Sequence, residues 1–389
     1  MNLHPDSARI PGAGRAHRAS LSRKAPAMAA AALLGLSACM TSSDDKDPAA
    51  SSTDKGFLFT VTSDFATGSY SVLGIDSAFK QNNIDPINGD AGVRYLGGND
   101  IFILNRSGRD NIQVVDRHNL KTVLQFKVDA NSNPQDIALK DGKLYVAFLG
   151  ADSIGIYDQE DGKALGKIDL SAYADSSDKL PETADVEFVD GTLYALTQNL
   201  KTDDNSYKPL TAHLIKIDVA AKKAIKALEL PYGNPASISY DSAAGKFYIP
   251  CSGELFNEDF SAKLDAGIVT VDLARFEIGE DVATEQDLGG NPRNAILYKG
   301  KLYMDVNGDT GDKVVAVSVS GGKVEEIVKL DEPWSVGGMA IDAKSSTLFV
   351  GDRKKDAARL RIFDADTFKE RDDSKIDLGM PAYDMVVVR

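Results

Sequence analysis

Residues Asn133 to Leu170 read NPQDIALKDGKLYVAFLGADSIGIYDQEDGKALGKIDL. Polar and apolar residues alternate from Asp136 to Leu139, and Asp141-Gly142 then supplies a tight turn. Leu144 to Phe148 is the most apolar run, and Gly150 to Ser153 forms a loop. Alternation resumes over Ile154 to Tyr157, Asp158 to Gly162 turns, and Ala164 to Leu170 closes the unit. Period-two patterning punctuated by Asp-Gly predicts consecutive β-hairpins rather than helices.

The unit recurs. Gly-[Lys/Thr]-[Leu/Phe]-Tyr opens the second run at Gly142, Gly191, Gly245 and Gly300, with degenerate copies at Asn99–Phe102, Ser346–Phe349 and Gly56–Leu58. Third runs end at Asp76, Asp116, Asp158, Asp218, Asp272 and Asp364, with Ser318 in the remaining slot. First runs begin near Val93, Asp136, Asp185, Ser237, Asn294 and Gly338, one fewer than the second runs. The missing one is the final segment, Asp384 to Val388, which has no second run after it. A ring in which that segment joins Phe57–Val61 balances the count and hides the sheet edges. The expected fold is therefore all-β: a seven-bladed β-propeller of four-stranded blades, spanning residues 56–389.

Asn133-Pro, Asn234-Pro and Asn291-Pro precede first runs, and Leu144–Ala147 and Ile154–Asp158 form the body of the unit. Over roughly residues 57–389 these features resemble the YVTN repeat of seven-bladed bacterial propellers. The resemblance implies the fold. Members serve as binding platforms, surface proteins and enzymes alike, so it does not choose among functions.

Residues 1–38 carry five basic residues and one acidic one, and an Ala/Leu-rich stretch, Ala25 to Leu36, too short to span a bilayer. Leu36-Ser37-Ala38-Cys39 matches the bacterial lipobox, in which cleavage before the cysteine exposes a thiol for diacylglycerol. Residues 39–55, lipidated Cys39 and a Ser/Asp/Ala run, read as a flexible tether. Met40 occupies the position where aspartate favours inner-membrane retention. The expected address is thus the cell envelope, lipid-anchored and outer-membrane attached, facing the periplasm or the outside. The formal charge is −14, and −18 after loss of the leader. Such a surface repels phosphate backbones and argues against nucleic acid as a partner. Cys251 is left without a disulfide partner and reads as an inert buried thiol.

Only His118 and His213 remain beyond the leader, in non-adjacent units, which disfavours a histidine metal site, haem ligation or a Ser-His-Asp triad. In Asp305-Val-Asn-Gly-Asp-Thr-Gly-Asp312, the residues Asp305, Asn307, Asp309 and Asp312 space oxygen ligands as a calcium ion would use them. The loop departs from an EF-hand, with Thr310 at the glycine position and Ala316 in place of the bidentate glutamate. The same residues suit an Asx-rich hairpin turn. Asp136, Asp185 and Asp384 begin first runs, with Ser237 and Asn294 in equivalent slots, and so line the central channel. They either attract a cation or basic group, or cap backbone N–H groups where blades meet. Trp334, Tyr232, Arg293 and Tyr383 occupy corresponding junctions, and are expected either to form a contact face on one side of the disc or to pack against neighbouring blades. The longer insertions lie at Asn82–Val93, Tyr173–Ala184, Asn199–Thr211 and Cys251–Ala266, and three of them are Asp-, Asn- or Ser-rich and so solvent-facing, as recognition loops are.

Two functional classes follow. One is a binding platform for a protein or small-molecule partner, without evident catalysis. The other is a calcium-dependent propeller hydrolase of the lactonase or phytase kind, its metal polarising the substrate. A structural surface protein is the third possibility, resting on the breadth of the family alone.

Overall fold

The computed structural model describes residues 55–176, 178–203, 206–254, 263–308, 311–372 and 375–389. The leader, Cys39, Asp309 and all of the tether but Lys55 lie outside them. Seven antiparallel sheets form a ring, and in six of them the order from the axis outward follows the chain. The first blade alone is built from both ends of the ring: its innermost strand is Ala382–Val388, followed by Phe57–Ser63 and Gly68–Gly74, with Lys80–Gln81 and Pro86–Ile87 at its outer edge. Innermost strands of blades two to seven are Ala91–Tyr95, Pro134–Lys140, Thr183–Val189, Ser239–Asp241, Asn291–Tyr298 and Val336–Asp342. In the seventh blade the fourth position is held by isolated bridges, Leu360 with Ile376 and Phe363 with Glu370. A separate hairpin, Leu200–Asp203 with Ser206–Pro209, projects from the fourth.

The turns explain why the chain reverses where it does. Asp141 and Gly142 both take positive φ, at 51° and 69°, as do Asp190 and Gly191. Two left-handed residues in succession make the hairpin turn whose twist matches that of the strands it joins. The strand register then closes the ring as the count requires: Phe57 lies opposite Val388, Thr60 opposite Met385 and Val61 opposite Asp384.

Alternation along the second strands feeds two cores at once. Phe57, Phe59 and Val61 pack with Val93, Ile101 and Ile103 of the second blade. Leu58, between them, turns the other way, to Ala340, Phe349, Leu360 and Met385. A hydrophobic cluster fills each of the seven blade-to-blade interfaces in this manner. Each large side chain so buried contributes about 1.5–3 kcal/mol. The last residue adds an ionic clasp: the Arg389 guanidinium reaches buried Asp342 through Nε at 3.0 Å and Nη2 at 2.5 Å, and also pairs with Asp76.

Candidate functional site

Innermost strands of neighbouring blades do not pair as a sheet, so their facing edges need other partners. Aspartates supply them. Asp384 accepts from the Val93 N–H at 2.9 Å, Asp136 from Val186 at 3.0 Å and Asp185 from Ile238 at 3.1 Å. The Ser237 hydroxyl accepts from the Ala295 N–H at 3.3 Å in the same way. Each carboxylate thereby ties one blade to the next. A basic group joins them: Arg94 of the second blade pairs through Nε with Asp136 of the third, and through Nη1 at 3.2 Å with Asp384 of the first. Among the described residues no basic group pairs with Asp185 in this way. Burial and the nearby Asp136 charge push its carboxyl well above the ordinary range, against the easing effect of Arg94 and the Ile238 N–H. Glu187, two residues along the strand, is pushed up to about 7 by burial and by Asp136.

These strands enclose a central cavity of about 1030 Å³. Its lining includes Asp136, Asp185, Asp384, Arg293, Asp305, Trp334 and Tyr383, together with Phe65, Arg94, Arg106 and Arg353. Two aromatic–arginine groups stand at the ends of its strands. In one, Arg293 lies 5.1 Å from the Trp334 ring centre and pairs with Asp305 at 2.6 Å and Asp312 at 3.5 Å. Asp312 is fully buried and also accepts from Asn307 Nδ2 at 2.7 Å, the Trp334 N–H at 3.1 Å and the Val336 N–H at 3.0 Å. In the other, Arg353 lies 4.5 Å from the Phe65 ring centre and 5.4 Å from that of Tyr383, the two rings meeting edge to face. The Tyr383 hydroxyl donates to Asp90 at 3.2 Å. Trp334 is 52 % exposed and Phe65 68 % exposed, and both are held in the left-handed region, at φ 58° and 69°. Bulky side chains rarely occupy that region, and holding one there costs about 1–3 kcal/mol.

Tyr232 is placed apart from the others. Its hydroxyl donates to Asp281 at 2.6 Å, and it lines a separate hollow of about 670 Å³ with Tyr173, Asn199 and His213. His118 lies away from the cavity in an outer turn, near Asn99. Cys251 is fully buried, and burial raises its thiol pKa far above the range in which it would react.

Of the candidate calcium residues, Asp305, Asn307 and Asp312 sit in paired strands, with Asn307 opposite Asp312 and Gly308 opposite Gly311. The Arg293 guanidinium occupies the position between Asp305 and Asp312 that a cation would take, and Asn307 turns its amide nitrogen toward Asp312. Calcium needs about 6–8 oxygen ligands. Among the described residues no three His, Cys, Asp or Glu side chains converge as a metal site. Of the four candidate ligands, Asp309 lies outside the described residues, and Asp305, Asn307 and Asp312 are engaged with Arg293, with one another and with backbone donors.

Phe65, Arg94, Arg106 and Arg353 escaped the sequence reading. Arg106 and Arg353 each directly follow a second strand, Asp100–Asn105 and Thr347–Asp352. That repeat position reaches the next blade: Arg106 donates to the Pro134 and Gln135 carbonyls, and Gln198 to the Pro235 carbonyl. Aligning the residue after each second run would have found it.

No family model matches the chain, and no curated protein matches it. Solved structures do. A Bacteroides fragilis protein provisionally named a 6-phosphogluconolactonase superposes with a TM-score of 0.60 at 13% identity, over 87% of this chain and 99% of the other. A Bacteroides uniformis protein of the same provisional name gives 0.60 at 11%, over 86% and 100%. Apo AztD from Citrobacter koseri gives 0.53 at 16%, over 86% and 98%. At these identities the likeness establishes the propeller fold and nothing finer.

Proposed function

We propose that this chain is a lipid-anchored binding module of the bacterial cell envelope, built on YVTN-like repeats, that takes a small ligand at the mouth of its central cavity. One observation carries the reading: two aromatic–arginine groups, Arg293–Trp334 and Arg353–Phe65–Tyr383, border one cavity, and their exposed rings are held in costly backbone conformations. Strain of that kind persists where the surroundings impose it, and it gathers at ligand clamps. The lipobox at Leu36–Cys39 supports the address. A hydrolase using calcium finds no support in Asp305 and Asp312, whose carboxylates are committed to Arg293 and, at Asp312, to backbone donors. Among the described residues no histidine or cysteine lines the cavity to act as base or nucleophile.

Trp334 is the only tryptophan in the chain, so intrinsic fluorescence reports on the mouth without a label. A saturable change in its emission is expected on titrating small aromatic or acidic metabolites, and Phe65→Ala is expected to weaken it. A ligand that binds by calorimetry while leaving Trp334 emission unchanged would place the site elsewhere. The address is tested separately: Cys39→Ser should move the protein from the membrane fraction to the soluble fraction, and unchanged membrane association removes the anchor.

A further inference from the structure

Four arginines line the cavity, and three of them have carboxylate partners in this chain. Arg94 has Asp136 and Asp384, Arg293 has Asp305 and Asp312, and Arg106 has Asp90 at 3.9 Å. Arg353 differs. Its Nη1 donates to the Ala382 carbonyl at 2.6 Å and its Nη2 to the Ser63 carbonyl at 3.1 Å, and among the described residues no carboxylate pairs with it. Burial pulls its pKa down from the ordinary value, with only the Tyr383 hydroxyl opposing that shift. Acidic residues outnumber basic ones, 58 to 44, so a half-buried guanidinium without a counter-charge is out of keeping with the rest of the molecule.

Its setting is built. A guanidinium has five N–H donors, and the two carbonyl bonds leave three unspent. The rings of Phe65 and Tyr383 strip water from it without neutralising it, which strengthens its pull on an anion. Ser63 Oγ fixes Phe65 by accepting its N–H at 2.8 Å, and Asp64 accepts the N–H groups of Ala66 and Thr67 at 2.9 and 2.6 Å. Gly337, three residues from Trp334, packs its backbone against Arg353. A Cβ there would come within 2.7 Å of the arginine Cγ.

We propose that Arg353 receives the carboxylate of an organic acid whose apolar, planar body rests against Phe65 at the cavity mouth. This rests on the reading of the mouth as a ligand site, and it names the ligand's chemical class. The guanidinium supplies a charge-assisted hydrogen bond to the acid, the ring supplies the apolar contact, and neither calls for a metal.

The test compares 3-phenylpropanoate with its neutral isostere 3-phenylpropanamide, read by Trp334 emission with excitation at a wavelength the ligands do not absorb. The acid is expected to bind at least about tenfold more tightly than the amide, with the advantage shrinking as salt rises. Arg353→Gln is expected to erase the difference between the two, and Arg353→Lys to restore part of it, with each variant's melting curve confirming the fold. Equal affinity for acid and amide in the unsubstituted protein, a comparison needing no variant, would overturn the anion assignment while leaving the mouth as a ligand site. Binding of neither compound would overturn both.

Discussion

Asp312→Ala puts the assignment of the Asp305–Asp312 region to a quantitative test. The carboxylate is fully buried and accepts from Asn307, from the Trp334 and Val336 N–H groups, and from Arg293. Hydrogen bonds to a charged acceptor contribute about 1.5–3 kcal/mol each, but these share one acceptor and Arg293 retains Asp305, so their sum overstates the loss. Removing one member of a buried pair costs about 3–5 kcal/mol. At about 2 °C per kcal/mol for a domain of this size, the melting midpoint should fall by about 6–10 °C. Asp312→Asn, which keeps the volume and one acceptor, should fall by about half as much. The assay is thermal denaturation at a fixed scan rate, run once with a chelator and once with millimolar calcium. Trp334 emission should shift to longer wavelength in the alanine variant as the pinned N–H is released. The structural role of Asp312 is refuted if the variant melts with the unsubstituted protein in chelator while calcium raises the midpoint of the unsubstituted protein alone. That pattern belongs to a metal ligand.

Arg389→Ala should weaken ring closure through loss of the paired contacts to Asp342, lowering the urea midpoint by an amount equivalent to about 2–4 kcal/mol. Burial pushes the Asp342 carboxyl up, but Arg389 and Ser345 outweigh it and hold the pKa below 3.8. The contribution is therefore present above that value and lost as pH falls through the folded-state pKa, so the acid limb of stability should be flatter in the variant. Glu182 behaves in the opposite sense. Burial, with help from Asp178 and Asp175, raises its pKa from 4.5 to about 8 against the Leu200 N–H. Between those values the folded state holds more protons than the unfolded one, so stability falls as pH rises through that window. Glu182→Gln should flatten this slope in urea titrations at pH 5, 6.5 and 8, and an unchanged slope would assign the proton uptake to another group.

Blade number and ring closure were legible because both rest on patterns that repeat. The Gly-x-[Leu/Phe]-Tyr anchors fix the second strands, and the shortfall of one first strand points to the segment that completes the ring. The mouth was harder to read, and its bulges show why. Arg293 and Asn294 lie where the register slips between Pro292 and Ala295, and Gly337 and Gly338 lie in a similar slip between Val336 and Met339. A bulge re-aims a side chain, so counting residues from the anchor could place Arg293 at the rim but not against Asp305 and Trp334. Tyr232 shows the same limit: its junction is equivalent in sequence, yet its hydroxyl goes to Asp281. The alternating oxygen residues of Asp305–Asp312 gave a third ambiguity. Spacing along the chain is the same for a metal loop and for a hairpin whose paired strands turn those side chains to an arginine from elsewhere in the chain.

The blade-to-blade ties decide which substitutions can inform about function. Asp136, Asp185 and Asp384 face the cavity, and a loss of binding on replacing any of them would invite a catalytic or ligand role. Each also holds the N–H of the next blade, and two of them neutralise Arg94. Removing one leaves a backbone donor unsatisfied and, at Asp136 or Asp384, weakens the compensation of a half-buried guanidinium, so binding and folding would fail together. Arg353 separates the two. Its bonds within the chain go to neutral carbonyls, so replacing it strands no opposite charge. A ligand effect at Arg353 that survives normalisation to the folded fraction therefore speaks for recognition, whereas the same effect at the channel aspartates speaks first for the integrity of the ring.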